Sequence, residues 1–387
     1  MALSLERSKA APLHLTVETS SSGQDPGCRH LMIPHAHKIE TLEYLPEMTT
    51  EDLTQAFPNF PQSMPNLRLL KTAPSPSELD WDPSVDPFKP FPNSMRSLSL
   101  YHTPLYPSIL KIRTLTELTL HYSRSSPPLD ALLTILKKNH SLTSVNLCIH
   151  SREPTVHNPQ RRMVAGDQLR HLSIISRNAM DAQALVAIIS LPRGACLQIK
   201  LSGEVKGLND ILSGTSSTHL VNVLSPISMK YDPSGQSVHL FGPNGCLSFY
   251  SYPDNPVISS LELSPLLLSR IQNLWLKPSI PTMFHPPSFP ALVTLHIMSS
   301  ASVSTILSTL MSTPRSSPSL RALGFLDCEL SEEFMLELAR FAFDRKGTIS
   351  GRIYRILIVH RDGKFPSAES VRRLRSVVNV VDVRVGK

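Results

Sequence analysis

The chain carries few cysteines and no two of them lie three positions apart, so no CxxC pair exists. The five cysteines, Cys28, Cys148, Cys196, Cys246 and Cys328, are odd in number and scattered. No disulfide framework is legible in that spacing, which fits a reducing compartment. Nowhere do 18 apolar residues follow one another, so no helical membrane span is expected. The first residues, MALSLERSKAAPLHL, lack the unbroken apolar stretch of a signal peptide, because Glu6, Arg7 and Lys9 interrupt it. An intracellular protein, cytoplasmic or nuclear, is the expectation. Catalytic signatures are missing too. There is no GxxxxGK[ST] phosphate cradle, no GxGxxG after a strand, no GxSxG elbow and no HExxH. Acidic residues are dispersed, so no carboxylate pair can be proposed from spacing. These absences argue against an enzyme and leave no cofactor or metal to expect.

What the chain has instead is a repeated apolar phrase, φ-x-x-φ-x-φ, with φ drawn from Leu, Ile, Val, Met, Phe, Cys and Tyr. It starts at Ile39, Met95, Leu115, Leu142, Leu169, Cys196, Ile258, Ile271, Leu292, Leu320, Ile353 and Val378, with a looser copy at Leu67. Starts from 39 to 95 are 28 apart and those from 115 to 196 are 27 apart. A period in the twenties marks a leucine-rich-repeat solenoid, in which each turn is one strand and a return. One such turn cannot bury its apolar side alone, so neighbours must stack. The 34 prolines fall mostly between phrases, where they punctuate turns.

Between phrases, helical spacing recurs. Leu129, Leu132, Leu133 and Leu136 form one stripe and Val303, Ile306, Leu307 and Leu310 a second. Phe334, Leu338 and Phe341 form a third, capped by Ser331 with Glu332 and Glu333 in the first turn. Val371 and Leu374 follow Ser367, and Leu185, Ile188 and Ile189 follow Asp181. The fold class expected is therefore α/β, a βα solenoid with a curved parallel sheet and helices on its outer face. Residues 202–257 break the rhythm with short alternating runs at 227–231, 237–241 and 247–250, separated by Gly-bearing connections, which predicts a small antiparallel β insertion. The expected organisation is a capping strand and turn at 1–38, solenoid at 39–201, insertion at 202–257 and solenoid at 258–387. Residues 72–94, rich in proline, are expected to form a long outer loop. Asn139-His140-Ser141 fits the glycosylation pattern but is idle without an export signal.

Positions between the apolar ones should project from the opposite face of the strands. That set is Arg96, Ser99, Glu117, Thr119, Asn146, Arg170, His171, Ser173, Lys200, Glu262, Asn273, Trp275 and His296. The candidate partner-binding residues are Tyr101, His121, Arg170, His171, Trp275 and His296. Trp275 is either a binding anchor or is covered by the neighbouring insertion; His102 and Tyr122 could join Tyr101 and His121. A zinc reading of Cys28, His30, His35 and His37 has suitable residue types but a spacing that matches no structural zinc pattern. Residues 345–387 hold 11 Lys/Arg against 3 Asp/Glu, whereas the other 344 hold 27 against 28. A basic end suggests nucleic acid, although Arg372, Arg373 and Arg375 also suit the wet side of a terminal helix.

Three passages carry a family resemblance. Leu5–Leu15 is similar to the "L-x-R-S-x-x-x-P-L-x-L" strand of the fungal F-box/leucine-rich-repeat-like proteins. Ile33–Leu42 resembles that family's first repeat, and Leu169–Ile174 with Leu191-Pro192 a later one. The resemblance implies substrate recruitment to a Skp1–cullin ubiquitin ligase, with the repeats selecting a protein target. Only four residues precede Leu5, so the F-box itself is absent from this sequence and a Skp1-type adaptor is expected as a partner only if one lies upstream. The leucine–proline–glutamate start at residues 45–47 superficially resembles an F-box opening, but Pro58, Pro61 and Pro65 break any long helix. The leading expectation is a non-enzymatic module binding a protein on its concave strand face. The alternative is a nucleic-acid-associated repeat protein using residues 345–387.

Overall fold

The structure is a computed structural model of the 387-residue chain. It describes residues 11–17, 33–44, 64–72, 91–101, 105–122, 129–149, 163–164, 166–177, 179–201, 227–232, 237–251, 265–277, 288–298, 303–312, 317–346, 351–360 and 366–385. Two compact units divide the chain, Met1–Leu197 and Gln198–Lys387.

In the first unit the strands are β1 (Leu13–Val17), β2 (Ile39–Tyr44), β3 (Leu69–Thr72), β4 (Ser97–Tyr101), β5 (Glu117–Tyr122) and β6 (Ser144–Ile149). They are followed by β7 (Met163–Val164), β8 (His171–Ser176), β9 (Ile189–Ser190) and β10 (Ala195–Leu201), the last of which carries the unit boundary. The order β1-β2-β3-β4-β5-β6-β8 is parallel at every step. β7 and β9 form a separate parallel pair. Sequence neighbours are thus spatial neighbours, as a stack of repeats requires.

The phrase explains the stacking. Its apolar positions are sealed: Ile39, Leu42, Met95, Leu98, Leu100, Leu115, Leu118 and Leu120 are all 0 % exposed. The phrases at Leu67, Met95, Leu142 and Leu169 open with a tight turn closed by a backbone bond, as from Leu142 N–H to Asn139 O or Leu169 N–H to Gly166 O. The second position then passes a bond to the next turn. Arg68 N–H donates to Glu40 O, Arg96 to Arg68 O, Thr116 to Arg96 O, Thr143 to Thr116 O, and Arg170 to Thr143 O. The loose copy at Leu67 is a full turn, with Leu67 and Leu70 sealed and Thr72 in the third inward position at 4 % exposure.

One copy differs at its start. Cys196 N–H donates to Arg170 O, which puts Cys196 in the second, outward position. The buried set there is Ala195, Leu197, Ile199 and Leu201. Ile199 and Leu201, the fourth and sixth positions of this copy, are inward as expected, and only its first position differs, Ala195 being sealed where Cys196 was expected.

In the second unit come β11 (Ser228–Asp232), β12 (Ser237–Gly242), β13 (Gly245–Ser251), β14 (Asn273–Leu276), β15 (Thr294–Met298), β16 (Ala322–Leu326), β17 (Arg355–His360) and β18 (Val380–Val385). β11, β12 and β13 pair antiparallel, and Gly245 adopts φ 140° where the β12–β13 hairpin closes. β11 then pairs parallel with β14, and parallel pairing continues through β18. The antiparallel part is therefore built into the ladder, with β11 serving as one turn of it.

Helices form at the five stripes, and a further short one forms at 265–268, where no stripe was expected. They are α1 (Leu129–Lys138), α2 (Ala179–Ile188), α3 (Pro265–Leu268), α4 (Val303–Ser312), α5 (Glu332–Lys346) and α6 (Ala368–Val377). α1 turns Leu132, Ile135 and Leu136 inward and leaves Leu133 half-exposed, a small rotation from the expected stripe. Ser331 accepts from Phe334 N–H and caps α5; Ser367 accepts from Ser370 N–H and caps α6. Phe334 meets Phe325 edge to face at 5.4 Å, so α5 lies against the inward side of β16. Each unit is an α/β array of leucine-rich-repeat type, strands and returns alternating over one shared apolar row.

Several expectations fall outside the described residues: the phrase at Ile258 with Glu262, His102, residues 45–57, most of the proline-rich loop, and Cys28 with His30. Against the expectation of no disulfide framework, Cys196 and Cys246 are disulfide-bonded. Cys148 and Cys328 are buried thiols outside any disulfide.

Candidate functional site

Alternation leaves each strand one row of side chains opposite the buried one, and the register aligns these rows across strands. In the first unit one row reads Glu43, Lys71, Ser99, Thr119, Asn146, Ser173. Lys71 pairs with Glu43 at 3.5 Å, and Asn146 donates to Thr119 Oγ1 at 3.4 Å. Ser173, expected on the surface, is only 8 % exposed. This row is polar and low.

A second row at the strand ends reads Tyr101, His121, Cys148, Ile175. Tyr101 and His121 are half-buried, their rings 5.3 Å apart and tilted by 37°. Burial pushes the Cys148 thiol up to about 11, with Arg177 opposing weakly; such a thiol is inert. Arg170 is exposed but sits at the turn before β8, its backbone bonded on both sides. His171 is exposed at the first position of β8. The first unit thus brings Tyr101 and His121 together, with Arg170 and His171 adjacent in the chain at the start of β8.

In the second unit the equivalent row reads His239, Lys230, Trp275, His296, Gly324, Leu357, Asp382. Trp275 is half-buried beside Lys230 of β11 and stacks on His296 with centroids 5.2 Å apart and planes 9° apart. The imidazole in turn lies over Gly324. A Cβ there would come 2.1 Å from His296 Nδ1, so only glycine admits the stack. Burial, with Arg355 adding to it, holds the His296 pKa below its ordinary value, and Nδ1 is buried without a hydrogen-bond partner. The ring therefore acts as a neutral flat support for Trp275. The alternation reading named Trp275 and His296 separately. Gly324, which sets their plane, was missed; its signal is a glycine inside a strand pattern.

Next to that row, His239 stacks on Phe241 at 6.2 Å and meets Tyr250 edge-on at 5.2 Å, and Lys200 Nζ lies 5.5 Å over the Tyr250 ring. Phe241 and Ile227 are 42 % and 40 % exposed. The unit offers ring faces, aliphatic surface and ammonium groups, and His239 Nδ1 lies 2.9 Å from Ser248 Oγ on the neighbouring strand.

The basic segment is largely engaged with its own fold. Arg345 is buried, donates to Gly351 O at 2.6 Å and Ser317 O at 2.7 Å, and lies 5.4 Å over Phe341. Arg352 bonds Asn379 Oδ1; Arg355 and Arg384 both reach Asp382; Arg372 and Arg373 bond Glu369. Arg372, Arg373 and Arg375 line the exposed side of α6. Asn139 is sealed, its side chain accepting from Leu115 N–H and donating to Ile112 O and Ile135 O. It is a hydrogen-bond node between turns and inaccessible as an acceptor of sugar. Among the described residues no three metal-ligating side chains cluster, and His35 and His37 sit in the 3₁₀ turn before β2.

These arrays and rows define a leucine-rich-repeat-like α/β fold. No family model matches the chain, and no curated protein does. Among solved structures, the leucine-rich repeat-containing protein LegL7 from Legionella pneumophila is similar over 96 % of this chain and 91 % of that one, at 12 % identity and a TM-score of 0.23. A superposition that loose carries no argument, and the class rests on strand order, register and burial. No helix among the described residues is long and apolar enough to cross a membrane.

Proposed function

We propose that the chain is a non-enzymatic protein-interaction module that holds a protein target on the open face of its strands. The observation that carries this reading is the Trp275–His296 stack over Gly324. A large ring held rigidly on the outward side of a strand loses little freedom on binding, which is what makes such residues anchors. Tyr101, His121, Arg170 and His171 are the proposed contacts of the first unit.

The test compares proteins captured by the wild-type chain, by Trp275→Ala and by Leu336→Ala, which changes an exposed position on α5. A target bound on the strands is lost with Trp275→Ala, kept with Leu336→Ala, and reproduces that order as a purified protein in calorimetry. Equal retention by both variants contradicts the reading.

A finer assignment rests on the passages at 5–15, 33–42 and 169–174: the target-selecting part of an F-box/LRR ubiquitin-ligase receptor. On that assignment the chain alone does not copurify with a Skp1-type adaptor. A version extended by an upstream F-box does, and failure of the extended version removes the assignment. For the nucleic-acid alternative no comparable feature speaks, since six arginines of the basic segment are engaged within the fold.

A further inference from the structure

The open row of the second unit also bears on the kind of segment it takes. Its rings and cations alternate. His239, stacked on Phe241 and edge-on to Tyr250, is followed by Lys230, then by Trp275 on His296. Lys200 lies over Tyr250. Among the row's own positions only Asp382 carries a carboxylate. Asp382, at the far end of the row, is occupied by Arg355 at 2.6 Å and Arg384 at 3.4 Å, and their hydrogen bonds hold its pKa below the usual range. Beside the rings the row carries the ammonium of Lys230, Lys200 lies over Tyr250, and Arg355 adds positive charge near His296.

We infer that this row recognises an acidic peptide segment carrying an aromatic side chain; the inference rests on the strand-face reading above and names its partner class. Neighbouring strands lie about 4.8 Å apart, so β12 to β15 spans roughly 14 Å across three intervals. An extended chain covers about 3.4 Å per residue, so some four residues bridge it. A carboxylate opposite Lys230 then sits one or two residues from a ring packed on Trp275 and flanked by Phe241. Lysine ammonium groups beside rings favour carboxylates electrostatically, and the rings reward an aromatic face. Single-stranded nucleic acid also stacks on rings, but it carries a phosphate at every nucleotide and needs a continuous basic groove, which two ammonium groups do not make.

The experiment pans a random-peptide phage library on the full chain, wild type and Trp275→Ala. The wild type enriches peptides rich in Asp and Glu that contain Trp, Tyr or Phe, and Trp275→Ala does not. A synthetic peptide from that set weakens about tenfold against Lys230→Glu, Lys200→Glu serving as the second variant, and replacing the peptide's acid by lysine restores affinity to Lys230→Glu. Peptides that depend on Trp275 but show no acidic bias overturn this inference and leave the strand-face reading standing. Peptides indifferent to Trp275→Ala remove both. Absence of any enrichment, or binding of oligo(dT) that Lys230→Glu abolishes, also overturns the acidic-segment inference.

Discussion

Replacing Gly324 by alanine tests the stack with a single methyl group. The three atoms nearest to a Cβ at this position all belong to His296: Nδ1 at 2.1 Å, Cε1 at 2.8 Å and Cγ at 3.1 Å. The imidazole must leave its place. Its departure removes a ring pair of about 0.5–1.5 kcal/mol and adds overpacking strain of about 1–3 kcal/mol. Against this, alanine restricts the unfolded chain and returns about 0.4–1 kcal/mol. Gly324→Ala is therefore destabilising by about 0.5–4 kcal/mol, centred near 2 kcal/mol. With His296→Ala in place the obstacle is gone, and the same Gly324→Ala change stabilises by about 0.4–1 kcal/mol. The assay is urea denaturation of the four proteins of the cycle, followed by circular dichroism. The sign of the alanine effect reverses between backgrounds, a coupling of about 3 kcal/mol, at the top of the range for contacting residues. Equal effects in both backgrounds refute the geometry.

Three further perturbations address other parts of the architecture. Leu118→Asp and Leu295→Asp each bury an unpaired charge at a position 0 % exposed, costing more than about 4 kcal/mol; loss of the cooperative thermal transition is expected, and a folded variant shows the strand phasing to be wrong. Asn139→Leu strips Leu115 N–H and the Ile112 carbonyl of their partner, costing about 2–4 kcal/mol, read as a lower urea midpoint. Because the folded His296 pKa lies below its unfolded value, the unfolded state takes up the proton first. Its contribution is complete above the ordinary histidine range, about 6.5, and is lost as pH falls through the folded value. His296→Gln is expected to flatten the fall of the urea midpoint on acidification from neutral pH; an unchanged slope contradicts the buried neutral ring.

The parity of the strands was legible because Leu98, Leu118, Val145, Leu172 and Leu295 recur at one phase, and a sheet with one sealed face admits only one phase per strand. The same reasoning slipped at one position, Cys196, which was counted inward in place of Ala195, while Ile199 and Leu201 of that copy are buried as expected. Thr72 was passed over because its inward position carries a hydroxyl. Helices were legible from their stripes, except for the rotation that brings Ile135 inward in place of Leu133. The site was legible one residue at a time. Trp275 and His296 lie 21 positions apart and His296 and Gly324 another 28, so their contact exists only once the parallel register is known. Asn139 shows the same limit: its local text matches a surface motif, while its side chain joins two turns of the array. In the basic segment Arg345, Arg352 and Arg355 reach Ser317, Asn379 and Asp382 only through the fold, whereas Arg372 and Arg373 pair with Glu369 on the expected exposed side of their own helix.

The central claim is that each strand seals one side-chain row and opens the next. Cysteine reactivity measures this directly. In a chain with Cys28, Cys148 and Cys328 replaced by serine, single cysteines are placed at Leu98, Ser99, Leu118, Thr119, Val145 and Asn146, and maleimide labelling is timed under native conditions. The account predicts fast labelling at Ser99, Thr119 and Asn146 and protection at Leu98, Leu118 and Val145. Uniform rates along a strand, or the opposite alternation, would contradict it.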